Sequence, residues 1–120
     1  MICTGGSLSF KGVFEGDGGV YLGEAAIAGA LGMATRKTPT IIGKPQKKFF
    51  EQALKIVGHV AKETVMVGDI LESDIVGAKK VGMTAILVGG KVVKIHGAVK
   101  PDIIVSDIGE LHNILIGKKY

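Results

Sequence analysis

The stretch ETVMVGDILESDIVGAKKVGMTAILVGG, residues 63–90, decides the architecture. Val65, Met66 and Val67 read as a buried strand that runs into Gly68 and Asp69. SDIVGAKKVG then reads as a helix, capped by Ser73 or Asp74 and stopped at Gly82. TAILVG (84–89) is a second strand, too continuously apolar for a sheet with one wet face. Strand, helix and strand of this kind predict parallel pairing in an α/β sheet covered on both faces. Asp69 is the oddity. A carboxylate at the end of a buried strand is costly to desolvate unless a metal ion, a lysine or open solvent meets it.

The same alternation extends in both directions. Upstream, TIIG (40–43) is a short extended piece. It leads into KPQKKFFEQALKIVG, where Phe49, Phe50, Ala53, Leu54 and Val57 mark one helical face, with Pro45 in the first turn and Gly58 past the end. Downstream, KVVKIHGAVK is a surface connection and DIIVS (102–106) a third strand. DIGELHNILIG forms a last helix with Ile108, Leu111 and Leu115 inward. Residues 1–38 differ, holding nine of the nineteen glycines, a turn-like KGVFEGDGG and an alanine-rich helix near 23–32. The expected division is a glycine-rich lead-in at 1–38 and an α/β unit at 39–120.

Composition narrows the functional classes. The chain has 120 residues, 47% hydrophobic and 22% charged, which suits one soluble domain burying roughly two-thirds of its unfolded surface. No apolar run approaches the ~18 residues that cross a bilayer, so no membrane partner is expected. MICTGG lacks the basic flank and apolar core of a signal peptide. The single cysteine, Cys3, excludes an internal disulfide and fits a reducing cytoplasm. The net charge is +4, and its lysines fall in scattered pairs (Lys47-Lys48, Lys79-Lys80, Lys118-Lys119). Solvated helix faces explain them, and no nucleic-acid partner is expected.

Ligands of parallel α/β sheets collect outside the carboxyl ends of the strands. Asp69 falls there, Asp74 follows at the start of the next helix, and Lys44 opens the preceding one. Two carboxylates suit a hard cation such as magnesium. With a lysine and a helix start beside them, they suit a phosphoryl group. Taken singly, Asp74 is more often an N-cap, Lys44 a solvated first-turn residue, and Asp69 as often a loop aspartate as a ligand. Their order together is far less ordinary. His59, His96 and His112 lack metal-like spacing and read as surface or half-buried residues. Cys3 has no histidine partner in its sequence context and reads as unreactive.

With IIGKPQKKFFEQAL, the 63–90 stretch and PDIIVSDIGEL in view, the chain resembles the haloacid dehalogenase (HAD)-like hydrolases. The likeness is to the NagD and 4-nitrophenylphosphatase-like branch. GGVYLGEAAIAGAL followed by TIIGKP is similar to the end of that branch's large cap and its return to the core. The resemblance implies a three-layer Rossmann-like parallel sheet and magnesium-dependent hydrolysis of a small phosphate monoester. It implies Lys44 as the phosphoryl-binding lysine, Asp69 as a magnesium ligand, and Asp74 as support for the ion directly or through water.

The departure from the family pattern is equally informative. Members begin with a strand ending in D-x-D-G-T/V, whose first aspartate is the nucleophile, and residues 1–120 contain no such motif. FEGDGGV (14–20) echoes its spacing through Glu15, Asp17 and Gly18. Glu15 is one methylene too long for a positioned nucleophile, and the segment reads as a polar turn. The expectation is a truncated phosphatase: a partial core lacking the nucleophile strand, with little or no turnover alone. The alternatives are a non-catalytic metal-, phosphate- or protein-binding module, or one half of a two-chain enzyme. A missing neighbour beside strand 64–68 would leave an edge open to a second copy of the chain or to a complementing N-terminal half.

Overall fold

The apolar run at 84–88 forms the middle strand of a three-stranded parallel sheet in the computed structural model, which describes residues 1–11, 19–89 and 99–117. In chain order the strands are β1 (Ile2–Cys3), β2 (Ser9–Lys11), β3 (Val20–Leu22), β4 (Thr40–Ile41), β5 (Val65–Gly68), β6 (Thr84–Val88) and β7 (Ile103–Val105). The α-helices are α1 (Glu24–Thr35), α2 (Lys47–Val57), α3 (Val76–Val81) and α4 (Ile108–Leu115). A 3-10 turn occupies Ala61–Glu63, and a π-helical turn, Leu71–Ile75, leads into α3. No helix among the described residues is long and apolar enough to cross a membrane.

Strand β6 explains the sheet. Side chains alternate across a strand, so Ala85 and Leu87 enter a core with Phe50, Leu71, Ile75, Ala78 and Met83. Ile86 points the other way and packs with Val105 and Leu111 of α4. The flanking strands pair with it in parallel, Met66 beside Ala85 and Leu87 beside Ile104. Gly77 in α3 is required by this packing, because a Cβ there would collide with the Phe50 ring. Gly58 and Gly82 end α2 and α3 at positive φ, the conformation glycine adopts without strain.

Several expectations change. Cover on both faces holds for β6 but not for β5, whose Val65 and Val67 are half-exposed. They sit beside Thr84 and Ile86, and α4 shields Ile86 without extending over them. Along α4 only Leu111 is buried, while Ile108 and Leu115 face solvent. On α2, Phe50 is buried and Leu54 packs against the core, but Phe49, Ala53 and Val57 are exposed. That helix begins at Lys47, so Pro45 lies before its first turn. Apolar periodicity identifies the face that would be buried; a neighbour must still be present to bury it.

The lead-in docks on the start of the core. β1 pairs in parallel with β4, Ile2 beside Thr40 and Cys3 beside Ile41, and β2 pairs antiparallel with β3. Among the described residues no lead-in strand pairs with β5. Glu15, Asp17 and Gly18 of the EGDGG segment, most of the 91–100 connection including His96, and Lys118-Lys119 lie outside the described residues.

Candidate active site

Two turns bring the site together. The first is Gly43-Lys44-Pro45, between β4 and α2. The second is the turn after β5, where Gly68-Asp69-Ile70 enters the π-helical turn. Ile70 is extended and stands at the N-cap of that turn. Asp74, four residues on, turns its carboxylate back to accept the Ile70 N–H at Oδ2, 3.2 Å away. The bond ties the fourth residue of the turn back to its N-cap and satisfies one of the orphan N–H groups there. Asp74 is therefore not the N-cap expected from sequence, nor is Ser73. The helical turn starts earlier, at Leu71, and Asp74 lies within it.

Asp74 is 2% exposed and is the one buried charged residue of the described core. Its compensation is Lys44, whose Nζ lies 2.6 Å from Asp74 Oδ1. Ser73 Oγ lies 3.4 Å from the same oxygen. The lysine side chain keeps 40% of its surface. The ammonium is thus held by a buried carboxylate, on a lysine side chain that stays partly open to solvent.

Asp69 directly follows β5 at the carboxyl edge of the sheet and is solvent-exposed. Among the described residues it forms no salt bridge with Lys44 or any other group. Of the three residues singled out by sequence, two converge and the third stands at the same edge. Among the described residues, no group of three or more His, Cys, Asp or Glu side chains is placed to hold a metal ion. Magnesium commonly takes only one or two carboxylates from protein, with water and phosphate oxygens completing its shell. An exposed Asp69 and the remaining lone pairs of Asp74 are hard oxygen donors of that kind.

The lead-in contributes a wall that sequence reasoning did not place here. Gly6, Ser7, Leu8 and Ser9 line a cleft of about 450 Å³ with Lys44, Pro45, Ile70, Glu72 and Ser73. The wall is tightly seated. A Cβ at Gly6 would strike the Lys44 carbonyl, and one at Gly43 would strike the Thr4 carbonyl. Only a long-range contact reveals this, and the paired glycines Gly5-Gly6 were its sole trace in sequence. His59 lies 3.7 Å from Glu63 with both exposed, and His112 is exposed on α4. Cys3 is buried with its thiol against the Gly5 carbonyl.

A parallel sheet with Lys44 clamped by buried Asp74 at its carboxyl edge fits a HAD-like, Rossmann-type fold. The chain belongs to the HAD-hydrolase-like family, whose model matches residues 41–111. It is 44% identical over 70 residues to haloacid dehalogenase-like hydrolase domain-containing protein 2 of Bos taurus, covering 58% of this chain and 27% of that protein. It is 36% identical over 76 residues to the 5'-nucleotidase YutF of Bacillus subtilis, covering 63% of this chain and 30% of that protein. Among solved structures it resembles the p-nitrophenyl phosphatase of Archaeoglobus fulgidus with a TM-score of 0.75 and 27% identity. That match covers 94% of this chain and 45% of the other. The chain thus spans about a third or less of the length of these curated relatives.

Proposed function

We propose that these residues supply the phosphoryl-clamping and metal-binding side of a magnesium-dependent phosphate-monoester hydrolase. The observation that carries the reading is the 2.6 Å pairing of half-exposed Lys44 with buried Asp74 at the carboxyl edge of the sheet. Asp74 fixes the ammonium in position before substrate arrives, which lowers the reorganisation needed in the transition state. Lys44 then offsets charge on the phosphoryl oxygens. Asp69 would hold magnesium directly, while Asp74, whose Oδ1 meets Lys44 and whose Oδ2 accepts the Ile70 N–H, would support the ion only through water. When bound, the ion acts as a Lewis acid on a phosphoryl oxygen. The covalent step in this family requires an aspartate nucleophile, and residues 1–120 hold no D-x-D-G-T/V motif to provide one. The 120-residue chain is accordingly a binding half with negligible turnover of its own.

The test is a titration of the purified chain with magnesium and then with inorganic phosphate, followed by NMR. Magnesium should bind on the order of millimolar, since few ligands are fixed. Asp69→Asn should abolish that binding, and Lys44→Ala should abolish the phosphate response. Unchanged binding in both variants would remove the reading.

A further inference from the structure

Helix α1 buries one side and exposes an apolar stripe on the other. Ala25, Ala28 and Gly32 turn inward, and a Cβ at Gly32 would strike the Lys37 carbonyl. On the outer side, three and four residues apart, lie Ile27, Ala30, Leu31 and Ala34, all exposed. Ile27 and Leu31 each keep 51% of their surface. Apolar residues at i, i+3, i+4 and i+7 form the seam by which one helix packs on another. Met1 and Ile2 are exposed as well. They line a groove of about 420 Å³ with Ile27 and Leu31 and widen the patch.

The stripe fits its own reverse. Let two copies of α1 run antiparallel, with the two-fold axis between Ala30 and Leu31. Ile27 of one copy then meets Ala34 of the other, and Leu31 meets Ala30. Each large side chain faces a small one on both halves, the alternation that lets two helices approach to about 8–10 Å. The charges agree with the same register. Glu24 stands in the first turn of α1, and Arg36 and Lys37 follow its last residue. Each end of the pair therefore sets a carboxylate near two cations, and the positive end of one helix dipole beside the negative end of the other. A parallel pair would bring Glu24 to Glu24 and Arg36 to Arg36, with repulsion at both ends.

We propose that the outer face of α1 docks a second copy of this chain, in an isologous antiparallel pair centred between Ala30 and Leu31. One helix pair with its Met1–Ile2 margin falls at the small end of protein interfaces, so the contact is reversible. It shares no residue with the edge of β5 and does not depend on the role of Lys44.

The test is oxidative cross-linking of the purified 120-residue chain carrying one added thiol. Ala30→Cys places it beside the axis, and Met33→Cys places it off the stripe at a position that is 85% exposed. Native Cys3 is buried and gives the parent's baseline. The disulfide-linked dimer of Ala30→Cys should form about tenfold faster than that of Met33→Cys, because pairing raises the local thiol concentration. Adding Leu31→Arg to Ala30→Cys sets two like charges at the axis and should slow linking about tenfold. Arginine is a good helix former and position 31 is exposed, so circular dichroism should show the helix retained. Adding Glu24→Lys should slow linking about threefold, and Glu24→Lys together with Lys37→Glu should recover most of that loss. Equal rates for Ala30→Cys and Met33→Cys, or linking indifferent to Leu31→Arg, would overturn the proposal. A charge swap that recovers nothing would overturn its antiparallel register.

Discussion

Asp74 lies directly over Gly68, so that a methyl group at position 68 would sit 2.5 Å from both the Cβ and Oδ2 of Asp74. The glycine that ends β5 therefore serves the carboxylate that clamps Lys44. Gly68→Ala must push the Asp74 side chain or shift the turn, and overpacking of this kind costs about 1–3 kcal/mol. A urea titration should show the loss of stability, and the phosphate response through Lys44 should weaken in parallel. A variant as stable as the parent would mean the turn absorbs the methyl group, and that Asp74 is less constrained than its burial implies.

The Lys44–Asp74 pair predicts a coupling energy. Lys44→Ala leaves a carboxylate that is 2% exposed facing only the Ile70 N–H and the Ser73 hydroxyl. That loss should fall in the range of about 1–3 kcal/mol for stripping a charged partner from a buried group. Asp74→Asn removes the charge that needs the lysine. The double variant should then lose less than the sum of the singles, by on the order of 1 kcal/mol. The value stays below that of a fully buried pair because the lysine is half-exposed. Strict additivity in a double-mutant cycle would show that the short distance carries no energy.

How far the sequence disclosed this site depends on the range of the interactions. β6 was legible because TAILV is apolar at every position that faces either core, and its flanking helices carry their own stop signals at Gly58 and Gly82. Lys44, Asp69 and Asp74 were legible as a set because they fall in the segments that follow β4 and β5 at the same end of the sheet. The direct pairing of Lys44 with Asp74 was not, since the two are thirty residues apart and either could have faced solvent. The wall at residues 6–9 was hidden for the same reason. Its seating depends on backbone contacts with Thr4, Lys44 and the start of α1, and such contacts leave no periodic trace. Ile108 and Leu115 misled in the opposite sense, because an apolar helix face does not reveal whether anything covers it.

At the opposite, amino end of the sheet, Lys79 and Asp102 tie α3 to the start of β7. Lys79 Nζ lies 2.8 and 2.9 Å from the two carboxylate oxygens, and the Ala85 N–H donates to Oδ2 at 2.8 Å. The Lys79 hydrogen bond, then that of Ala85, holds the Asp102 carboxyl below its ordinary value of 3.8. A carboxyl depressed in the folded state favours folding while it is ionised. Its contribution is fully present above 3.8 and is lost as pH falls below that value through the lower folded one. The stability difference between the parent and Asp102→Asn should therefore be constant near neutrality and shrink below about pH 4. Both groups are partly exposed, so added salt should reduce the difference. A gap that widens in acid would contradict the assignment.

The last prediction concerns turnover and the edge of β5. Loss of a nucleophile removes most of an enzyme's rate, leaving ~10³-fold over water from positioning and charge. The chain alone should accordingly show negligible magnesium-dependent hydrolysis of 4-nitrophenyl phosphate. Among the described residues, β5 pairs only with β6, and its Val65 and Val67 are half-exposed. An unpaired edge beside an apolar face is a template for another strand. Adding a separately made N-terminal half of a related phosphatase, carrying the D-x-D-G-T/V strand, should restore turnover, and Asp69→Asn in the pair should abolish it. Without that half, light scattering on Leu31→Arg, in which pairing through α1 is blocked, should detect association with a second copy through β5, and the added half should compete it away. A Leu31→Arg chain that stays monomeric at high concentration and gains no activity from the added half would show that this edge accepts neither occupant. Robust hydrolysis by the chain alone, lost in Asp17→Asn, would instead give the EGDGG segment the nucleophile's role.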